Sequence, residues 1–220
     1  MKSFYFIFIS LLITQYCDIF NGEDKIVLPD PEKKGGMPLN EALSKRKSSR
    51  DFDPSTELTP EIISQALWSC YGPNRENGHK TTPSANAWYP LIVYVFLEEG
   101  VYQYEPNDNT LTKLLSGDFR GMTGTQTDVV TKAGANFVFI ADFKKKSSMD
   151  GDDEHKLRSI YLDTGHCSMA LGLFAASNNM KGVPRAMVDI DSLLELLGLT
   201  KEDYIFTLAF SLRILKILLY

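Results

Sequence analysis

Two short segments of the sequence, at residues 46–50 and 81–90, are distinguished by their residue types and spacing. The first is basic. In an extended backbone Arg46, Ser48 and Arg50 point to the same side, because side chains alternate along an extended chain. Two guanidinium groups around a hydroxyl offer permanent positive charge and several hydrogen-bond donors to a phosphate. The alternative for these residues is a solvated basic helix end, where cations are also favourable.

The second segment, TTPSANAWYP at residues 81–90, combines small, polar and aromatic residues just before an apolar run. Small residues allow a ligand to approach the backbone closely, and Ser84 and Asn86 offer hydrogen-bond donors and acceptors. Trp88 and Tyr89 add flat apolar surface. This composition suits the edge of a planar ring that carries polar groups. It suits equally well a polar loop with two aromatic side chains packed beneath it.

The remaining reactive residue types form no recognisable set. His79, His155 and His166 lie in three different segments, and no pair has the spacing of metal ligands. The acidic stretch 150–154 lacks the alternating ligand order of a calcium loop. We therefore predict no metal site. No combination of nucleophile and base is evident either.

The elements that must position the two segments follow from apolar periodicity. Helices are predicted at residues 38–47, 60–71, 159–180 and 189–199, with a further polar helical region at about 110–133. Strands are predicted at residues 91–97, 101–106, 136–142 and 204–212, with a short extended piece at 183–188. Thr59 and Pro60 are typical of the first residues of a helix. This alternation predicts an α+β domain with three or four core strands.

The chain of 220 residues is predicted to contain one folded domain with segments attached at both ends. Its first residues include the apolar run FYFIFISLLI, which has the length of a signal-peptide core and is too short to cross a bilayer. We predict a signal peptide at about residues 1–22, a linker at 23–37 and an atypical C-terminal tail at 213–220. The protein is therefore expected to be exported. An N-terminal anchor or a buried strand is the alternative for the apolar run.

Charge and composition exclude several classes of protein. Hydrophobic residues make up 44% and charged residues 23% of the chain, a balance that argues against wholesale disorder. The net charge is −5, and the longest basic run is the three lysines at 144–146. We therefore expect no nucleic-acid partner.

Six segments in this order resemble the nitroreductase family of FMN-dependent oxidoreductases. The likeness is greatest to its SagB-type branch, related to the dehydrogenase of thiazole- and oxazole-modified peptide synthesis. It covers residues 38–212. The segments are RKSSRDF, LTPEIISQALWSCYGPNR, TTPSANAWYPLIVYVF with the hairpin EEGVYQYEP, GDFRG, LDTGHCSMALGLFAAS and GVPRAMVD.

The resemblance implies three sets of residues that bind the cofactor, FMN. Those matched to the contacts with the phosphate and ribityl chain are Arg46, Lys47, Ser48 and Arg50. Those matched to the loop that touches the flavin ring, commonly across a dimer interface, are Pro83, Ser84, Ala85 and Asn86. Those matched to a segment whose backbone lies against the ring are Pro184, Arg185, Ala186 and Met187.

The resemblance also implies fold and chemistry. The family fold is an α+β homodimer, with a mostly antiparallel central sheet flanked by helices and two flavins between the subunits. Its chemistry is ping-pong hydride transfer from NAD(P)H to small electron-poor substrates such as nitroaromatics or quinones. No catalytic side chain is expected, because the flavin carries the chemistry. The alternatives are a flavin-dependent dehydrogenase of an azoline or another organic substrate, and a non-catalytic flavin-binding scaffold.

The chain departs from the family pattern at two places. Ser168 and Met169 stand where many members carry Gln and Asn. The last predicted strand runs into Arg213 and an apolar tail, where members usually have a glycine and a further basic residue. Arg213 is the candidate for the phosphate role of that basic residue. The altered terminus is expected to change the outer contacts of a dimer and to weaken flavin retention.

Overall fold

The structure is a computed structural model that describes residues 24–52, 58–144 and 151–214. The predicted signal peptide and most of the predicted C-terminal tail lie outside these residues. Within the described ranges, no helix combines the length and the apolar character needed to cross a membrane.

A single antiparallel sheet is the centre of the fold. Its strands are β1 Lys25–Val27, β2 Leu91–Phe96, β3 Gly100–Glu105, β4 Thr110–Ser116, β5 Ala135–Asp142, β6 Met180–Arg185 and β7 Tyr204–Ile214. The order across the sheet is β1-β4-β3-β2-β5-β7-β6. Every neighbouring pair is antiparallel.

Helices cover both faces of this sheet. Those in the described residues are α1 Leu39–Lys45, α2 Pro60–Tyr71, α3 Thr127–Val130, α4 Asp153–Ser177 and α5 Ile190–Leu196. One face carries α2 and α4, and Leu171 of α4 shares an apolar core with Phe137 and Phe210 of the sheet. On the other face, Leu193 of α5 packs in a second core with Val138. The antiparallel sheet with helices on both faces confirms the predicted α+β class.

Several predicted element starts are confirmed at the level of single residues. The Thr59 hydroxyl accepts a hydrogen bond from the Ile62 amide at 3.3 Å, and Pro60 is the first helical residue. An aspartate begins the helix predicted at 189: the Asp189 carboxylate accepts from the Ser192 amide at 3.2 Å. Both side chains satisfy amides that the first turn of a helix leaves without a partner.

The polar helical region predicted at about 110–133 is wrong over its first part. Residues Thr110–Ser116 form β4, which is hydrogen-bonded to β3 on one side and to β1 on the other. Strand pairing overrides the weak helical propensity of TLTKLLS. Only the four residues of α3 and the 3₁₀ turn Arg120–Thr123 are helical there. The sheet consequently has seven strands among the described residues, instead of three or four.

The long helix, the predicted linker and the start of the predicted C-terminal tail also differ from expectation. Helix α4 begins at Asp153, not at 159, because the Asp152 side chain caps it through the His155 amide at 2.8 Å. The predicted linker at 23–37 contains β1. It is also tied to α2, since the Glu32 amide donates to Gln65 Oε1 at 2.7 Å. Strand β7 continues to Ile214, two residues into the predicted tail.

Candidate functional site

A cavity of about 150 Å³ lies where the end of α1 meets α4, β6 and β7. Its walls combine the basic segment with small and apolar side chains. The lining residues are Arg46, Lys47, Ser48, Gly165, Ser168, Met169, Gly172, Gly182, Pro184 and Phe210. Two of the three predicted sets of site residues therefore contribute to one cavity.

The basic segment is extended where it lines the cavity, as predicted. Helix α1 ends at Lys45, and Arg46 has φ −59° and ψ 120°. The Ser49 amide donates to the Gly182 carbonyl at 3.0 Å, which holds the segment against β6. Arg46 is half-buried beside α4 and Arg50 is exposed. Arg50 Nε donates weakly to Gln126 Oε1 at 3.4 Å, and Arg50 does not line the cavity.

Glycines give the cavity its open walls. A Cβ atom added at Gly165 would meet nothing within 4 Å. One added at Gly172 would have its nearest contacts with the side chain of Arg46, at 3.7 Å. Gly182 is different, because a Cβ atom there would lie 2.7 Å from the ring of Phe210. The side of α4 that faces the cavity therefore carries the small residues Gly165, Ser168 and Gly172 together with Met169. Gly182 allows the Phe210 ring to pack over β6.

The side chains of the third predicted set, residues 184–187, do not all point toward the cavity. Pro184 lines the cavity, while the next side chain, Arg185, points to the opposite face of the sheet and is buried there. Ala186 and Met187 are exposed beyond the end of β6. The Met187 carbonyl accepts from the Thr125 amide at 3.0 Å, which fixes this backbone.

The second predicted set, residues 83–86, is held against α4 by a buried aspartate. Asp163 Oδ2 accepts from the Ser84 hydroxyl at 2.6 Å, and Asp163 Oδ1 accepts from the Ala85 amide at 3.1 Å. Asn86 adopts φ 48°, a left-handed conformation that Asn tolerates better than most residues. Pro83 and Asn86 are exposed. None of the four residues lines the cavity, so one chain does not bring this loop to it.

Asp163 is a site residue that the sequence analysis missed. It is 5% exposed, and burial raises the pKa of its carboxyl group, while the hydrogen bonds from Ser84 and Ala85 act in the opposite direction. The contact joins residues 79 positions apart, and no local pattern connects them. The other missed residues, which line the cavity, are its three glycines, Ser168, Met169 and Phe210.

We expect Asp163→Ala to loosen the loop at 83–89. The Ser84 hydroxyl and the Ala85 amide would lose their common acceptor, which should lower the free energy of unfolding by about 1–2 kcal/mol. Urea unfolding measures this loss, and hydrogen exchange measures faster opening of the loop amides. Asp163→Asn keeps one carbonyl oxygen and should lose less. Unchanged exchange in Asp163→Ala would contradict the role of this carboxylate.

Two remaining predictions concern charged side chains elsewhere. Arg213 is buried in β7, packs beside Gly134 and does not line the cavity. In the ranges that the structure describes, no group of three or more His, Cys, Asp or Glu side chains is placed to bind a metal ion.

The chain is similar in sequence and in structure to known proteins. Residues 43–211 match the sequence model of the Nitroreductase family. A candidate nitroreductase of Methanocaldococcus jannaschii is 31% identical over 162 residues, which are 70% of this chain and 79% of that protein. The crystal structure of a candidate nitroreductase from Ralstonia eutropha is 30% identical and superimposes with a TM-score of 0.81, covering 87% of this chain and 90% of the other.

Two more distant structures share the fold. A chain of the E. coli microcin synthetase McbBCD complex, solved with truncated pro-MccB17 bound, has a TM-score of 0.69 at 16% identity and covers 88% of this chain and 79% of its own. A candidate nitroreductase from Desulfovibrio desulfuricans, solved in complex with FMN, has a TM-score of 0.59 at 14% identity. The coverage there is 81% of this chain and 87% of the other.

Proposed function

The chain belongs to the nitroreductase family, and from this premise we propose an FMN-dependent oxidoreductase. The redox chemistry would reside in bound FMN, through ping-pong transfer of hydride from NAD(P)H to a small electron-poor substrate such as a nitroaromatic or a quinone. The observation that carries the proposal is the cavity with a basic end and glycine-rich walls. A related fold has been solved in complex with FMN, which supports the choice of cofactor.

The residues around the cavity fit FMN in charge and shape. Arg46 and Lys47 would hold the phosphate with permanent positive charge, and the Ser48 hydroxyl would donate a further hydrogen bond. A flat ring needs walls without branched side chains. Gly165 and Gly172 of α4 meet this need, with Pro184 beside them.

The protein's own contribution is binding, orientation and electrostatics. The Ser49–Gly182 hydrogen bond and the Thr125–Met187 hydrogen bond fix the two backbone segments at the ends of the site. No nucleophile or acid–base pair is required in such a site. The positive charge at its basic end would favour an anion there.

We propose that a second copy of the chain completes the site. The cavity of about 150 Å³ is smaller than the roughly 300–1,000 Å³ typical of small-molecule sites. Beside it, α4 presents an apolar surface: Leu162 is 61% exposed, Tyr161 49% and Met169 42%. The loop at 83–86 contacts the same helix without reaching the cavity of its own chain. Pairing through α4 would cover the apolar surface and bring that loop to the neighbouring cavity.

Leu162→Arg is therefore expected to weaken the dimer. Burial of a leucine side chain contributes about 1.5–3 kcal/mol, so a charge in its place should raise the dissociation constant by about tenfold or more. Light scattering across a dilution series measures this constant. Leu114→Arg, on β4 and 40% exposed in the single chain, is the matched control and should leave it unchanged. A dimer equally stable in both variants would place the interface elsewhere.

Absorbance spectroscopy tests the proposed function directly. The purified protein, alone or after addition of FMN, should show the yellow flavin bands, and NADPH should bleach them in a stopped-flow trace. A protein that is colourless after FMN addition and removal of the unbound FMN would contradict both the reductase and the dehydrogenase. A yellow protein that NADPH does not bleach would contradict the nicotinamide donor and leave the cofactor assignment intact.

A flavin-dependent dehydrogenase of an azoline ring or another organic substrate is the second candidate. The likeness of fold to a chain of the microcin synthetase complex favours it. Absorbance traces of the two half-reactions separate the two enzymes, because a dehydrogenase would bleach the flavin with the reduced organic substrate and recover colour with oxygen. The non-catalytic scaffold would bind FMN and respond to neither donor.

Export is a further proposal, which rests on the sequence of residues 1–22 alone. A signal peptide would be removed, so N-terminal sequencing of the protein from its native host should begin near residue 23. A mature protein that begins at Met1 would contradict export by this route.

A further inference from the structure

Arg185 is a buried cation whose hydrogen-bond partners are all neutral. Its side chain lies on the face of the sheet opposite the cavity, and the residue is 6% exposed. Nε donates to the Ser211 hydroxyl at 2.9 Å, and Nη1 donates to the Thr123 carbonyl at 2.6 Å. Nη2 donates to Thr123 Oγ1 at 3.3 Å and to Asn136 Oδ1 at 3.1 Å. In the described part of the chain, Arg185 forms no ion pair.

A buried charge is unfavourable unless an opposite charge accompanies it. Arg120 shows the usual solution: it is also 6% exposed, and it pairs with Asp118 at 2.8 Å and with Glu98 at 3.1 Å. For Arg185, burial lowers the pKa to about 10, so the guanidinium stays protonated at neutral pH. The fold therefore retains a positive charge here without the acid that would cancel its field.

The surroundings of Arg185 are built for it. A Cβ atom at Gly124 would overlap Nη1, so the glycine makes room for the guanidinium. Asn136, fully buried in β5, holds its amide in place by donating from Nδ2 to the Val130 carbonyl at 2.9 Å. The preceding residue, Pro184, forms part of the cavity wall. The charge is thus fixed behind the strand that borders the proposed cofactor site.

We propose that the buried charge of Arg185 makes this site bind the reduced, anionic form of the cofactor more tightly than the oxidised form. The inference rests on the proposed function. A charge in a low-dielectric interior acts across several ångströms with little screening, so it reaches through one strand. The ratio of the two affinities sets the midpoint potential of the bound cofactor, because binding and reduction are linked equilibria.

Redox titration of the FMN-loaded protein is the test, with oxidised FMN affinity measured alongside. In Arg185→Gln, the ratio of reduced to oxidised affinity should fall by about tenfold, which appears as a more negative midpoint potential. Oxidised FMN should bind nearly as before, since it lacks the additional charge on its ring. Arg185→Lys keeps the charge and should keep most of the wild-type potential.

Asn136→Asp separates the charge from the packing. It keeps the side-chain volume, gives up the Nδ2 hydrogen bond to the Val130 carbonyl and places a carboxylate against Nη2. It should therefore reproduce the negative shift with Arg185 still present. This variant decides the matter if Arg185→Gln does not fold. An unchanged potential in Asn136→Asp, with FMN bound, would overturn the inference and leave the proposed function intact. Failure of the wild-type protein to bind FMN would overturn both.

Discussion

Arg46→Ala should weaken the binding of FMN by about tenfold to a hundredfold. Arg46 is half-buried at the cavity, and the Cγ and Cδ atoms of its side chain lie beside Gly172 of α4. A hydrogen bond to a charged group contributes about 1.5–3 kcal/mol, and each 1.4 kcal/mol changes the affinity tenfold. Titration of FMN fluorescence with protein measures the loss.

Riboflavin is the ligand that makes this prediction specific, because it has the same ring and no phosphate. Arg46→Ala should leave riboflavin affinity within about twofold of wild type, since the contact removed is a charge-assisted one to phosphate. Lys45→Ala is the matched protein control: it removes one positive charge from the neighbouring residue, which pairs with Glu41 at 2.7 Å and does not line the cavity. Equal losses for both ligands would contradict a phosphate contact at Arg46.

The sequence gives the predicted phosphate-binding residues equal weight, but the structure brings only some of them to the cavity. Arg46, Ser48 and Arg50 alternate in the sequence, and an ideal strand would point all three the same way. Arg46 and Ser48 do line one cavity. Arg50 instead donates to Gln126, while the Ser49 amide before it is hydrogen-bonded to the Gly182 carbonyl of β6. That anchor is a long-range contact and leaves no trace in the local pattern.

Local sequence signals were sufficient to predict an element where one residue determines the backbone conformation. They were insufficient where pairing with distant strands determines it. Thr59 and Asp189 mark helix starts because their side chains bond amides three residues away. Strand β4 has only a turn before it: it pairs with β3 across residues 106–109, where Asn109 has φ 50°. Its other partner, β1, precedes it by more than 80 residues. That second pairing has no signal in the local sequence.

The candidate site likewise contains residues that the local sequence predicts and residues that it does not. Its basic segment and Pro184 were predictable because they lie in short stretches of distinctive composition. Asp163 and Phe210 come from elements whose sequence indicates only burial, and they join the site through contacts made by α4 and β7. The opposite directions of Pro184 and Arg185 follow from alternation along a strand. The extended piece predicted at 183–188 already implies this alternation, and β6 is an edge strand, where a proline is tolerated.

Gly182→Val should destabilise the protein and close the cavity together. A Cβ atom at this position would lie 2.7 Å and 2.9 Å from two ring atoms of Phe210 and 3.3 Å from the Cβ of Ala175. Phe210 is 1% exposed, so its ring has no free space on the far side and must move toward the cavity or force β6 from α4. Overpacking of a core typically lowers the free energy of unfolding by about 1–3 kcal/mol, and valine with its two methyl groups should lie near 3. Urea unfolding measures the change, and FMN titration should show little remaining binding.

Gly165→Ala is the contrasting variant, because it alters the same cavity without overpacking. Its Cβ atom would meet nothing within 4 Å, and alanine is favoured over glycine within a helix by about 1 kcal/mol. The ligand-free protein should therefore become slightly more stable, while FMN binding weakens because the new methyl group occupies the space proposed for the cofactor. Two glycines of one cavity would then change stability in opposite directions and affinity in the same direction. If Gly165→Ala bound FMN as tightly as wild type, the ring would not lie against this part of α4.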